Sequence, residues 1–126
     1  MKIKIFRCKH CGNTVIKIEE SGVPMICCGE AMTELVPNTT DGAHEKHVPV
    51  FETKDGIVHV KVGEVEHPMA EEHYIQWIAI QTTAGSQIKH LKPGEKPEAC
   101  FAICEGEEVE EVFEYCNIHG FWAAKA

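Results

Sequence analysis

Ile57-Val58-His59-Val60-Lys61-Val62 places a valine at every second position, with an isoleucine, a histidine and a lysine between. Successive side chains of a strand point to opposite faces, so this period of two predicts a β-strand with one buried side. Asp55-Gly56 just before it is a hairpin signal, because both residue types accept the positive φ of a two-residue turn. Further along, Tyr74 to Gln81 is apolar at nearly every position, as expected for a strand in the middle of a sandwich, and Thr83-Ala84-Gly85-Ser86 would turn it. Ile88 to Leu91 and Ala99 to Cys104 follow, separated by the Pro93-Gly94 turn, and Val109 to Tyr115 reads as the last strand. No segment shows a helical period. Short strands at this spacing predict, for residues 37–126, an antiparallel β-sandwich of immunoglobulin-like type.

Toward the N-terminus the character changes. Residues 1–36 hold Cys8, Cys11, Cys27 and Cys28, the turn positions Gly12, Gly22 and Gly29, and a thin apolar complement led by Ile3, Ile5, Phe6, Val15 and Ile16. A unit below ~40 residues seldom holds itself together by burial alone and needs a metal, disulfides or a partner subunit. Residues 1–36 are therefore expected to be a small separate domain whose cysteines have a structural task. Val36 to Ala43, with Pro37, Asn38 and Gly42, is expected to be the linker.

The whole chain has 126 residues, 44% hydrophobic and 25% charged, which fits a soluble mainly β protein of one ordinary domain with a small appendage. Twelve basic and twenty acidic side chains give a net charge of −8. The first 35 residues are nearly neutral and the deficit lies in the rest, so no basic stripe is available for phosphate, and nucleic acid is not an expected partner. No apolar run approaches the ~18 residues of a spanning helix, and the first residues are too short and alternating for a signal peptide. No membrane association is expected, and the cytoplasm is the expected address. The run Glu105, Glu107, Glu108, Glu110, Glu111, Glu114 reads as a solvated edge.

Seven cysteines and eight histidines without an export signal favour metal over a disulfide framework. Cys8-x-x-Cys11 forms a knuckle that presents two thiolates to one ion, and Cys27-Cys28 can complete a tetrahedral site for iron or zinc, which the spacing does not tell apart. The adjacent second pair differs from the usual two-residue gap. A vicinal disulfide would be strained and would leave Cys8 and Cys11 unexplained. His47, His67 and His73, with Cys116 and His119 at knuckle spacing, form a second set at expected strand ends and turns, where loops can converge. Singly, each histidine reads as an ordinary surface or hydrogen-bonded residue. His10, His44, His59 and His90 are assigned no metal, and Cys100 and Cys104, on one side of a strand, are expected to fill core or subsurface space.

The pattern of Cys8, Cys11, Cys27 and Cys28 resembles desulforedoxin. Glu45-Lys46-His47-Val48-Pro49-Val50, His67-Pro68-Met69, His73-Tyr74-Ile75-Gln76-Trp77-Ile78, Leu91-Lys92-Pro93-Gly94 and Tyr115-Cys116-Asn117-Ile118-His119-Gly120 resemble desulfoferrodoxin, the two-iron superoxide reductase. The resemblance implies a rubredoxin-like iron on Cys8, Cys11, Cys27 and Cys28, with zinc as an alternative occupant. It implies a second, non-haem iron held in a plane by His47, His67, His73 and His119, with Cys116 on the axis and a sixth position open. It further implies that Glu45 can occupy that position in the ferric state and that Lys46 lies near the substrate, superoxide, which is reduced to hydrogen peroxide. A rubredoxin-like electron donor and a homodimer are implied in the same way. Two other readings remain at this point: an electron carrier in which the sandwich only docks, and a zinc-stabilised binding module. An open coordination position is of no use to the first, and Glu45-Lys46 before a ligand histidine has no purpose in the second.

Overall fold

Strands too short to stand alone build the first part of the chain, and longer ones build the rest. The computed structural model describes residues 3–126; Met1 and Lys2, which open the first expected domain, lie outside the described residues. The chain divides into two units, Met1–Val36 and Pro37–Ala126.

In the first unit, β1 (Ile5–Arg7) pairs antiparallel with β2 (Thr14–Ile16) and with β5 (Thr33–Glu34), while β3 (Ile26–Cys27) and β4 (Glu30–Ala31) form a two-residue hairpin. Among the described residues of this unit only Ile5 and Cys8 are buried, and Ile18, Val23 and Ile26 are exposed. Such a unit cannot offset its chain entropy by burial, and the cysteine cluster has to supply the difference.

The second unit is an antiparallel β-sandwich. A single helical turn, α1 (His44–His47), precedes β6 (Pro49–Lys54) and β7 (Ile57–Val62), which pair through a hairpin at Asp55-Gly56, both with positive φ (52° and 76°). After β8 (Ile75–Thr82), β9 (Ser86–His90), β10 (Glu98–Ala102), β11 (Val109–Cys116) and β12 (Gly120–Lys125), the sheets are a three-stranded β10-β7-β6 and a four-stranded β12-β11-β8-β9. Val58, Val60, Val62, Ile78, Ile80, Phe101 and Val112 fill the space between them. Full burial of each such side chain contributes roughly 1.5–3 kcal/mol. Strand β8 lies between β11 and β9 and is buried along both faces over most of its length, hence its unbroken apolar run.

Three expectations are corrected. Glu111 and Glu114 are buried, not part of a solvated edge: Glu114 lies opposite Ile78 and Trp122 on the core face of β11, an interior strand. Cys100 and Cys104 are exposed. Cys100 pairs with His59 on the outer face of its sheet, and Cys104 follows the end of β10. The expected linker is partly docked. The Asn38 NH donates to the Phe121 carbonyl, the Asn38 side-chain amide exchanges hydrogen bonds with the Ala123 main chain, and Thr40 donates to the His119 carbonyl. This covers part of the β12 edge of the four-stranded sheet.

Candidate metal centres

The first centre is built by two turns. Strand β1 ends at Arg7, and the chain turns back through Gly12, whose NH donates to the Cys8 carbonyl, and Asn13, whose carbonyl accepts from the Cys8 NH. This knuckle sets Cys8 beside Cys11. On the other side Cys28 has a φ of 52°, a left-handed conformation rare for a residue with a Cβ, followed by Gly29 at 74°. That double reversal lets two adjacent cysteines aim at one point. The four sulfurs lie within 4.8 Å of one another, with Cys11 and Cys27 3.6 Å apart. Metal–sulfur bonds of about 2.3 Å in a tetrahedron require sulfurs about 3.8 Å apart, so the cluster has the dimensions of a four-thiolate site.

The thiols behave as a set. The Cys11 main-chain NH, donating to Cys8 at 3.5 Å, draws the Cys8 thiol down to about 6. Neighbouring Cys11 and Cys8 push Cys28 up to about 12. Four thiolates this close cannot coexist without a cation among them.

The second centre gathers residues far apart in sequence at one end of the sandwich. His47 closes α1, His67 and His73 sit on the β7–β8 connection, and Cys116 and His119 flank the β11–β12 turn. Ring centroids around the four histidines are 4.7 Å (His47–His67), 4.7 Å (His67–His73), 5.0 Å (His73–His119) and 4.7 Å (His47–His119) apart. The His47–His73 diagonal is 6.5 Å, so the rings stand at the corners of a square. Half that diagonal, about 3.2 Å, equals a metal–nitrogen bond of about 2.1 Å plus the ~1.1 Å from ring nitrogen to ring centre.

The lone pairs point inward. Nδ1 of His47 donates to the Ala43 carbonyl at 2.8 Å and Nδ1 of His67 to the Pro68 carbonyl at 2.7 Å. A carbonyl can only accept, so each Nε2 is left with its lone pair, and these two atoms face each other at 3.1 Å. Two acceptors at that distance call for a shared electrophile. Nε2 of His73 is buried with no hydrogen-bond partner. Burial keeps the rings neutral: it lowers His47, His67 (to about 4) and His73, with the other rings adding to the effect on each. Burial raises the Cys116 thiol, against main-chain NH groups of His119 and Ile118, the former 3.4 Å from the sulfur. Neutral imidazoles and a thiol that becomes a thiolate only beside a cation are a donor set suited to a transition metal.

Glu45 and Lys46 lie in α1 beside His47 and are exposed. The Lys46 charge disfavours protonation of His73, and that of Glu45 favours protonation of His47, which puts both side chains in the field of the site. Residues that sequence reasoning did not single out hold the ligands. Trp122 stacks on His47 at 5.0 Å and donates from Nε1 to the His119 carbonyl at 3.0 Å. Asn117 accepts from the Tyr74 NH (2.9 Å) and donates to the Glu72 carbonyl (3.1 Å), clamping the loop that carries His73. Gly63 permits the approach of α1: a Cβ there would fall 2.7 Å from the Glu45 carbonyl oxygen. Asn117, between Cys116 and His119, was the one of these with a visible signal.

A sandwich with a four-histidine, one-cysteine cluster at its end, and a four-cysteine cluster earlier in the chain, defines a metalloprotein with two donor sets of different chemistry. The family model Desulfoferrodoxin matches residues 39–125, and Desulfoferrodoxin, N-terminal domain, matches residues 1–35. The chain is 47% identical over 125 residues to a desulfoferrodoxin of Syntrophotalea carbinolica, covering 98% of this chain and 97% of the relative. It is 46% identical to one of Nitratidesulfovibrio vulgaris, covering 98% and 96%. Among solved structures, the superoxide reductase from Treponema pallidum superposes with a TM-score of 0.83 at 36% identity, over 99% of this chain and 100% of that one. The chain belongs to the desulfoferrodoxin family.

Proposed function

We propose that this protein is a superoxide reductase, an oxidoreductase carrying two iron ions per chain. Cys8, Cys11, Cys27 and Cys28 hold the first, in residues 1–36. His47, His67, His73, His119 and Cys116 would hold the second, in residues 37–126. The observation that carries this reading is the imidazole square with its lone pairs turned to a common centre. With five protein donors, an ion held there would still have room to bind a small anion. Zinc at the four-cysteine site is compatible with the same sulfurs.

The bound ferrous ion supplies one electron and a positive charge for the anion; with two protons, superoxide becomes hydrogen peroxide. The chain's own groups do the rest. His47 and His67, fixed by the carbonyls of Ala43 and Pro68, keep their lone pairs on the centre without rotation. Cys116, a thiolate once the ion is bound, would donate electron density to it. Lys46 adds positive charge beside His73 in a chain of net charge −8, drawing the anion in and orienting a proton-donating water. Glu45, an exposed carboxylate in α1 two residues from His47, would be the further donor available to the ion when no anion is bound. A rubredoxin-like protein is the proposed electron donor, and a reducing cytoplasm the proposed location, in keeping with seven free cysteines. A second copy of the chain is the proposed partner for exposed Ile18, Val23 and Ile26.

The test is the second-order rate of superoxide reduction by the reduced, iron-loaded protein. Cys116→Ser is expected to lower it by more than about 100-fold, beyond the range seen for groups that only support a ligand. Lys46→Ala should lower it less and flatten its dependence on ionic strength. An unchanged rate and salt dependence in the second variant would remove the steering role.

A further inference from the structure

The four-cysteine centre receives NH groups on its sulfurs, and not all of them belong to the main chain. The Cys11 NH lies 3.5 Å from the Cys8 sulfur and the Asn13 NH 3.5 Å from the Cys11 sulfur. No replacement other than proline removes these two. The third donor is the side-chain amide of Asn13, whose Nδ2 lies 3.6 Å from the Cys27 sulfur. Asn13 thus reaches across from the first knuckle to a ligand of the second.

We infer that the Asn13 side chain is a positioning residue that sets the reduction potential of the four-cysteine iron through its hydrogen bond to Cys27. The inference rests on the reading of this centre as an iron site. An iron held by four thiolates carries a net charge near −1 when oxidised and −2 when reduced, so each donor on a sulfur favours the reduced form. Asn13 stabilises that extra negative charge and raises the potential. A side-chain donor is a position at which the potential can be changed by substitution while the fold of the knuckle stays. The same residue's main-chain NH and carbonyl, which brace Cys11 and Cys8, survive any replacement that keeps the backbone, and the side chain is exposed. The consequence is functional: the gap between this potential and that of the histidine-ligated iron decides which centre holds an electron arriving from a donor.

The experiment is a redox titration of the full-length, iron-loaded protein, following the thiolate-to-iron absorption of the four-cysteine centre, with iron content measured alongside. Asn13→Ala should lower the potential by up to about a tenfold shift of the one-electron equilibrium, ~59 mV. Asn13→Asp, which replaces the donor with a carboxylate, should lower it further, and Asn13→Gln, which keeps an amide, should fall between Asn13→Ala and the parent. Parent-like potentials in Asn13→Ala and Asn13→Asp at full iron content would overturn the inference, as would a higher potential in Asn13→Asp than in Asn13→Ala. Should Asn13→Ala lose iron, Asn13→Asp and Asn13→Gln decide by the same ordering. A parent protein that takes up one iron and never develops the four-thiolate absorption would overturn the iron reading itself, and the inference with it.

Discussion

The two metal centres reach the same end, several donors on one point, by opposite routes. Cys8, Cys11, Cys27 and Cys28 come from two tight turns in a unit whose described residues bury Ile5 and Cys8 alone, and two of the four, Cys11 and Cys28, are exposed. His47, His67, His73, Cys116 and His119 come from three separate connections at the end of a packed sandwich, and His47, His67 and Cys116 are buried. In the first unit the donors must assemble the fold, whereas in the second the fold assembles the donors. A metal is therefore a structural element in one region and an occupant in the other.

Stripping both metals with a strong chelator under reducing conditions tests this contrast most severely. Amide hydrogen exchange should show complete loss of protection in residues 5–34 and retained protection in β7, β8 and β11, all clad in core residues. Equal loss in both regions would erase the distinction.

A smaller effect is expected where the sandwich dictates the site. Gly63→Ala places a methyl 2.7 Å from the Glu45 carbonyl oxygen and 3.0 Å from both the Lys46 carbonyl carbon and the Val48 carbonyl oxygen, all backbone atoms that cannot swing aside. Overpacking of this kind costs about 1–3 kcal/mol. The turn bearing Glu45, Lys46 and His47 has to shift, so superoxide reduction should fall by about tenfold while iron at the four cysteines is unchanged, since a misplacement near 1 Å is costly.

Acid should separate the regions more gently. His47, His67 and His73 have folded-state values below the ordinary 6.5, with His67 at about 4. Above 6.5 these rings are neutral folded or unfolded and contribute no pH dependence. Below it the unfolded chain takes up protons that the folded one refuses, so stability falls as pH drops from 6.5 toward 4. Denaturant midpoints of the metal-free sandwich at pH 7.5 and pH 5 should show this loss, and His67→Gln should reduce it.

The sequence announced the strands, one-sided β7 and doubly covered β8 alike, and failed on which glutamates of β11 are buried. Val58, Val60 and Val62 alternate against a solvated face, and Asp55-Gly56 gives the turn away. In β11 both faces are covered over most of the strand, and the register shifts between Val109 and Glu111, so no alternation separates buried Glu111 and Glu114 from exposed Glu105, Glu108 and Glu110. Cys100 misled for the converse reason. It was read as a small apolar residue, yet it lies in the row of His59 that faces solvent. The metal donors were legible because their residue types are scarce and carry chemistry. Trp122, Asn38 and Thr40 were not, since their roles exist only once β12, the docked 38–40 segment and the site loops are brought together. The one-turn helix α1 is too short to leave a period, and it owes its place to the space left by Gly63.

The carbonyls of Ala43 and Pro68 that hold Nδ1 of His47 and His67 have a consequence for the heat of metal uptake. With those tautomers already chosen and the rings neutral at pH 7.5, loading the sandwich centre discharges a proton to the buffer from the Cys116 thiol, which burial keeps protonated until then. The four-cysteine centre discharges more, since Cys27 and Cys28 are both raised. Titration calorimetry in two buffers of different ionisation enthalpy would turn that difference into a signature by which each centre reports its own filling.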